Sequence, residues 1–469
     1  MNPYVRRWRC TVAVLAIGLI SGLSGCETTP SDPVTDMLDP AKDVGRRIAA
    51  AEHAAARSPD DAKRIKALHA IAWKRNQPAA LRRVAIDQLL AHDEAAFRAE
   101  VRKRIARIMG WDTLRYLFDL GARRGWQEWP LVLVHSYART SQVFADDQRP
   151  EREALKQMRP QQDAGEVALE MLRNERGDVR YIEQVAAWEL LVRLWDDARL
   201  RETIADVEPT TNLIRDLQAA QRDLGVLPRN KEELLWLLYL RQPAMQETWA
   251  VLRDRAARSP VKPRAMRHLP VLLNADAQWL ASTRQKLVAT LQSRLRSETH
   301  YDKGVTSHDT AGDHPQRLAD WLDAVDDADL VAMLLIRAAL DDRDVQRQLF
   351  AQAEADRLDT DTEYGGALLR GNDGYEARAY EPLLKRLDTS YSSPPDLIIR
   401  CYTSLAHYHF HAQRHDNAAV AGPGAGDLKF AARLGLPCIV LTYVDAATMN
   451  VDYYHSGGVR VDLGVVRRR

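Results

Sequence analysis

The segment "LAHYHFHAQR", residues 405–414, sets His407, His409 and His411 at alternate positions, with apolar or aromatic residues between them. A strand sends residues i and i+2 to the same face, so a β reading lets two of these imidazoles reach a single point. The surroundings support that reading. "EYGGALL", "DLIIRCYTSLAHYHFH", "LPCIVLTYVD", "MNVDYYH" and "GVRVDLGVV" are short β-branched or aromatic segments separated by Gly, Pro, Asn and Asp. They read as strands of a mixed sheet. Between them "AGDLKFAARLG" reads as a helix that starts at Asp427 and stops at Gly435. Residues 317–469 therefore read as an α+β domain.

Upstream the pattern is different. From 44 to 300 the chain is a succession of short amphipathic helices with short connections. "SPDDAKRIKALHAIAWKRN" offers Ser58 as N-cap, Pro59 at the first helical position and Asp61 to complete a capping box. Ile65, Leu68, Ile71 and Ala72 then mark one apolar face, and Leu81, Val84, Ala85 and Leu89 do so in the next segment. "EAAFRAEVRKRIARIMG" and "WDTLRYLFDLGARRG" each close on a glycine suited to a left-handed cap. All eleven tryptophans fall at or before Trp321, at spacings that fit helix cores. The region is loosely similar to HEAT-type repeats, an α-solenoid of stacked helical hairpins, although no fixed period emerges. Residues 301–316, "YDKGVTSHDTAGDHPQ", read as a polar linker, with His308, Asp309 and His314 as loop residues.

The N-terminus carries a different signal. Arg6, Arg7 and Arg9 precede an apolar run, Thr11 to Leu23, that is too short to span a bilayer comfortably. It leads into Leu23-Ser24-Gly25-Cys26, which resembles the lipobox of bacterial lipoproteins. The resemblance implies a signal peptide over 1–25, a lipidated Cys26 and a flexible tether over 26–43. It also implies a membrane-anchored place in the bacterial cell envelope, at the outer membrane or the outer face of the inner membrane.

Charge excludes one large class of partner. The 66 Lys and Arg balance 65 Asp and Glu, so nothing points to nucleic acid. Of four cysteines, Cys401 and Cys438 belong to the folded part, and export permits either a disulfide or two buried thiols.

The histidine segment has partners for a metal site. A catalytic zinc takes about three protein ligands and leaves the next position to water. His409 and His411 on one strand face, with one carboxylate from Glu363 or from Asp427 at a helix start, meet that count; His407 and His415 are alternative ligands. Glu363 precedes two glycines that permit close backbone approach, and an unligated carboxylate near such a site acts as general acid and base. The order Glu363, then His409 and His411, then a Gly/Pro turn and Asp427 resembles the JAMM (MPN⁺, JAB) metalloprotease domain over about Asp361 to Gly464. That resemblance implies Glu363 as the catalytic residue, and His409, His411 and Asp427 as zinc ligands. The reaction implied is hydrolysis of peptide or isopeptide bonds. Where the family places an oxyanion-stabilising serine this chain has Gly424, whose backbone N–H is the remaining candidate for that role. The expected function is an envelope-anchored zinc peptidase or isopeptidase whose helical region presents protein substrates. The alternative is a non-catalytic lipoprotein that binds a protein partner through the helical region and carries a degenerate JAMM-like domain.

Overall fold

The computed structural model describes residues 32–58, 60–108, 110–139, 143–174, 179–301, 315–371, 374–385 and 391–468. The signal peptide, Cys26 and the loop residues His308, Asp309 and His314 lie outside them. The chain divides into two compact units at Leu117/Phe118, inside the helix Trp111–Arg124. Among the described residues no helix is long and apolar enough to cross a membrane.

The first unit is helical. Within the segment read as a tether, Pro33–Leu38 forms a short helix capped by the Asp32 carboxylate, which accepts from the Val34 N–H at 3.1 Å. The next boundaries differ from the sequence reading in one respect. Asp61, not Ser58, is the N-cap of the helix Ala62–Trp73, accepting from the Lys63 N–H at 2.9 Å. Ser58 instead closes the preceding helix Val44–Arg57, and its carbonyl accepts from Arg64 Nε. The shorter Asp61 cap wins because its carboxylate satisfies an orphan N–H without Ser58 leaving its C-cap role. Leu68, Ile71, Leu81, Ala85 and Leu89 are buried as the periodicity predicts. Gly125 (φ 66°) follows the helix Trp111–Arg124 in the left-handed region as expected, whereas Gly110 enters that helix instead of ending the one before: the earlier helix stops at Arg104, and the Gly110 carbonyl accepts from the Leu114 N–H.

The second unit combines further helices with a six-stranded mixed sheet. Its strands are β1 (Gly365–Gly371), β2 (Gly374–Tyr380), β3 (Ala406–His411), β4 (Cys438–Asp445), β5 (Thr448–Tyr454) and β6 (Arg460–Arg467), in the order β2-β1-β3-β4-β5-β6. Only the central pair β3/β4 is parallel. Two readings change here. "DLIIRC" is the helix Pro395–Cys401 rather than strand, because Pro395 at its first position presets the helical backbone. β2 has no counterpart in the sequence reading: its buried and exposed residues do not alternate, since it is the edge of the sheet. The helix Asp327–Asp341 is buried on nearly all sides, and its Arg337 donates to the carbonyls of Leu463 and Val465 in β6. Such all-round apolar character marks a helix inside a core. Trp129, Trp188 and Trp236 are fully buried, in line with a packing role.

One buried carboxylate ties the helices to the sheet's crossover. Glu233, in the first turn of the helix Lys231–Leu240, accepts from the Arg229 N–H at 2.6 Å and packs beside Gly435. Burial pushes its carboxyl up from 4.5 to about 7, against the Arg229 N–H and the Arg267 and Arg229 charges, which lower it. The folded state thus holds this proton more tightly than the unfolded one. Stability from this group is complete below pH 4.5 and falls as the pH rises through about 7, by roughly 3 kcal/mol in all. Glu233→Gln should remove that slope, which urea titrations at pH 5 and pH 8 would read directly.

Candidate metal centre

The register of the sheet assembles the site. β1 and β3 run antiparallel with Gly365 opposite His409, so continuing the pairing backward sets Glu363 opposite His411. Directly opposed residues share a face, which brings Glu363 to the side carrying His407, His409 and His411. The two glycines after Glu363 are needed for the strands to approach. A Cβ on Gly366 would lie 2.0 Å from the Arg378 carbonyl oxygen, and one on Gly365 would lie 2.6 Å from that of Tyr408.

The fourth residue comes from the β3-to-β4 connection. Parallel strands require a crossover, and here the helix Ala425–Leu434 supplies it. Its first turn follows the end of β3, which delivers Asp427 to the two imidazoles. Gly422 (φ 105°) makes the turn, and Gly435 (φ 68°) ends the helix as the sequence predicts.

The four side chains meet. Glu363, His409 and His411 each offer an atom within 4.8 Å of the other two. His409 Nε2 lies 3.2 Å from Asp427 Oδ1 and 3.8 Å from Glu363 Oε1, and His411 Nε2 lies 3.6 Å from Asp427 Oδ2. His409 Nε2 is buried among these carboxylates yet makes no well-directed hydrogen bond. Groups aimed at a common point, rather than at one another, leave a contact of this kind. The opposite ring nitrogens are held from behind. His411 Nδ1 is 3.4 Å from the Val420 carbonyl and His409 Nδ1 is 3.4 Å from the Tyr454 hydroxyl. A proton on each Nδ1 leaves each Nε2 a lone pair, the tautomer that a metal needs. Burial alone would raise the Asp427 carboxyl, but the neighbouring His409 and His411 pull it well below the usual carboxylate range. The donor set of two imidazoles and two carboxylates suits zinc.

The alternatives settle out. His415 contacts Glu354 at 3.3 Å and stacks edge-on against Tyr443, away from this group. His407 pairs through Nε2 with Ser393 Oγ at 2.9 Å, and burial pushes its imidazole down to about 3, so it stays neutral. The Gly424 N–H donates to Asp427 Oδ2 at 2.7 Å, so it is engaged in holding the aspartate. Cys401 and Cys438 are free, buried thiols, both raised by burial.

A second group, His268, Asp326 and Asp329, also has metal-like proximity. Its chemistry differs. Arg267 makes a two-pronged contact with Asp329, at 2.9 and 3.0 Å, and Asp329 also accepts from Tyr453. His268 Nδ1 accepts from the Arg264 and Ala265 N–H groups, which leaves Nε2 as the donor to Asp329 at 3.1 Å. The guanidinium already fills the cation's place, and His268 has no lone pair to give. This is a buried ion-pair network that fastens the helix Asp327–Asp341.

The chain matches no family model, no curated protein and no solved structure.

Proposed function

We propose that the sheet-bearing part of the chain is a zinc-dependent hydrolase of peptide or isopeptide bonds, of the JAMM type. The observation that carries this reading is the grouping of Glu363, His409 and His411 within 4.8 Å of one another, with Asp427, 64 residues beyond Glu363, beside both imidazoles at 3.2 and 3.6 Å. His409, His411 and Asp427 would hold the metal, which supplies carbonyl polarisation and lowers the pKa of water. Glu363 takes a proton from the attacking water as its oxygen bonds to the carbonyl carbon. It returns that proton to the leaving nitrogen as the C–N bond breaks, giving a carboxylic acid and an amine. Burial of Glu363 and His409 limits the access of competing water to the carboxylate. The decisive experiment pairs zinc content with cleavage of a fluorogenic peptide library. Zinc with cleavage supports the reading, and the absence of both opposes it.

A second reading has its own support. The Gly424 N–H is committed to Asp427, so no oxyanion donor stands at that position. Loss of one such donor costs on the order of 10²–10³ in rate. The alternative is a degenerate domain in a protein-binding lipoprotein, with a HEAT-like helical region as the binding surface. Zinc bound without cleavage would favour it.

In both readings Cys26 carries lipid and anchors the chain in the cell envelope. Each buried acyl CH₂ contributes about 0.8 kcal/mol, so a multiply acylated cysteine holds firmly. Cys26→Ala should move the protein from the detergent phase to the aqueous phase in a Triton X-114 partition; retention in detergent would oppose lipidation.

A further inference from the structure

Beside the candidate metal centre lies a cavity of about 480 Å³, into which His409 and Asp427 both face. Its size suits one or two amino-acid residues, at the small end of ligand sites. Leu384, Ile398, Phe430 and Leu434 form apolar walls. Lys429 and Arg433, one turn apart on the helix that carries Asp427, also line it. Among the described residues neither cation has an ion-pair partner, whereas Arg267, Arg337 and Arg357 of this unit each face a carboxylate. Arg433 lies over the Phe430 ring at 5.8 Å, which holds its guanidinium at the wall. On the buried side, His407 is 2 % exposed, is joined to Ser393 through Nε2, and has no partner at Nδ1. An apolar cleft with two unpaired cations and an orphaned buried nitrogen is built for a ligand that is apolar and anionic at once.

We infer that this cavity is a subsite for the C-terminal end of a peptide, with an apolar side chain among the walls and a free carboxylate held by Lys429 and Arg433. The helix rise of about 1.5 Å per residue sets Arg433 about 9 Å along the axis from Asp427. That is two to three residues of extended chain at roughly 3.3–3.6 Å each. The substrate class that follows is a peptide or peptide conjugate cleaved within its last few residues. The assignment of this end as the one leaving the metal centre rests on the hydrolase reading, but the carboxylate preference does not.

Titration calorimetry of the chain from Glu27 onward with N-acetyl-Ala-Leu, and with the same peptide as its C-terminal amide, tests the inference. The acid should bind at least 10-fold more tightly than the amide, and less tightly as salt is raised. In K429Q/R433Q, two exposed positions, the preference should fall to near unity with zinc content unchanged. Equal binding of acid and amide, binding of neither, or an unchanged preference in the double variant would overturn the inference. His411→Ala separates the two claims. If the preference survives there, the subsite stands whether or not the hydrolase reading does. If it vanishes there while persisting in K429Q/R433Q, the carboxylate was binding the metal and the subsite is wrong.

Discussion

Glu363→Gln protein should keep about one zinc per chain, since His409, His411 and Asp427 are untouched, and lose hydrolysis by about 10²–10⁴-fold. The glutamine is nearly isosteric and still fits the 4 % exposed pocket that Glu363 occupies. It cannot accept a proton from water or return one to a leaving nitrogen. The split between metal and activity is the informative part. Glu363 lies as close to the imidazoles as a ligand would, with its Oε1 3.8 Å from His409 Nε2. If zinc were lost in this variant, Glu363 would be a ligand and Asp427 the candidate base. Zinc content by plasma mass spectrometry and single-turnover cleavage, read on the same sample, distinguish these roles.

The second large effect falls on stability. Gly366→Ala introduces a methyl 2.0 Å from the Arg378 carbonyl and 2.6 Å from the Tyr408 hydroxyl. Neither is the free end of a flexible chain: one is backbone in β2, the other a buried phenol. The strands must separate, and the cost should reach or exceed the roughly 3 kcal/mol upper end typical of overpacked cores. Since β1 also pairs with β3, the strand that carries His409 and His411, the variant that does fold should bind zinc more weakly. Gly426→Ala is the control. Nothing lies within 4 Å of its Cβ, and alanine in that helix should be neutral or stabilising by up to about 1 kcal/mol. Thermal melts of both variants against the parent give the comparison.

Much of this centre is legible in the sequence because local rules govern each part. Alternation places His409 and His411 on one face, and paired glycines announce the close approach of β1. Asp427 marks a helix start that the structure puts at Ala425. What joins the parts is long-range. The register that opposes Glu363 to His411 spans 48 residues, and no local pattern encodes it. The pairing of Ser393 with His407 and the use of Lys429 and Arg433 as cavity walls depend on the same tertiary placement. The Arg267–Asp329 pair, 62 residues apart, leaves no local trace for the same reason. The edge strand β2 and the helix Pro395–Cys401 show the limits of composition. In the first, edge position suppressed alternation; in the second, Pro395 outweighed the apolar Leu-Ile-Ile run.

The measurement that bears most directly on the account is the zinc content of the chain from Glu27 onward, purified without a metal-binding tag or chelator. About one zinc per chain is expected, falling to near none in His409→Ala while circular dichroism stays unchanged. Protein that binds no zinc even when zinc is supplied, or a His409→Ala variant that keeps it, would contradict the metal centre.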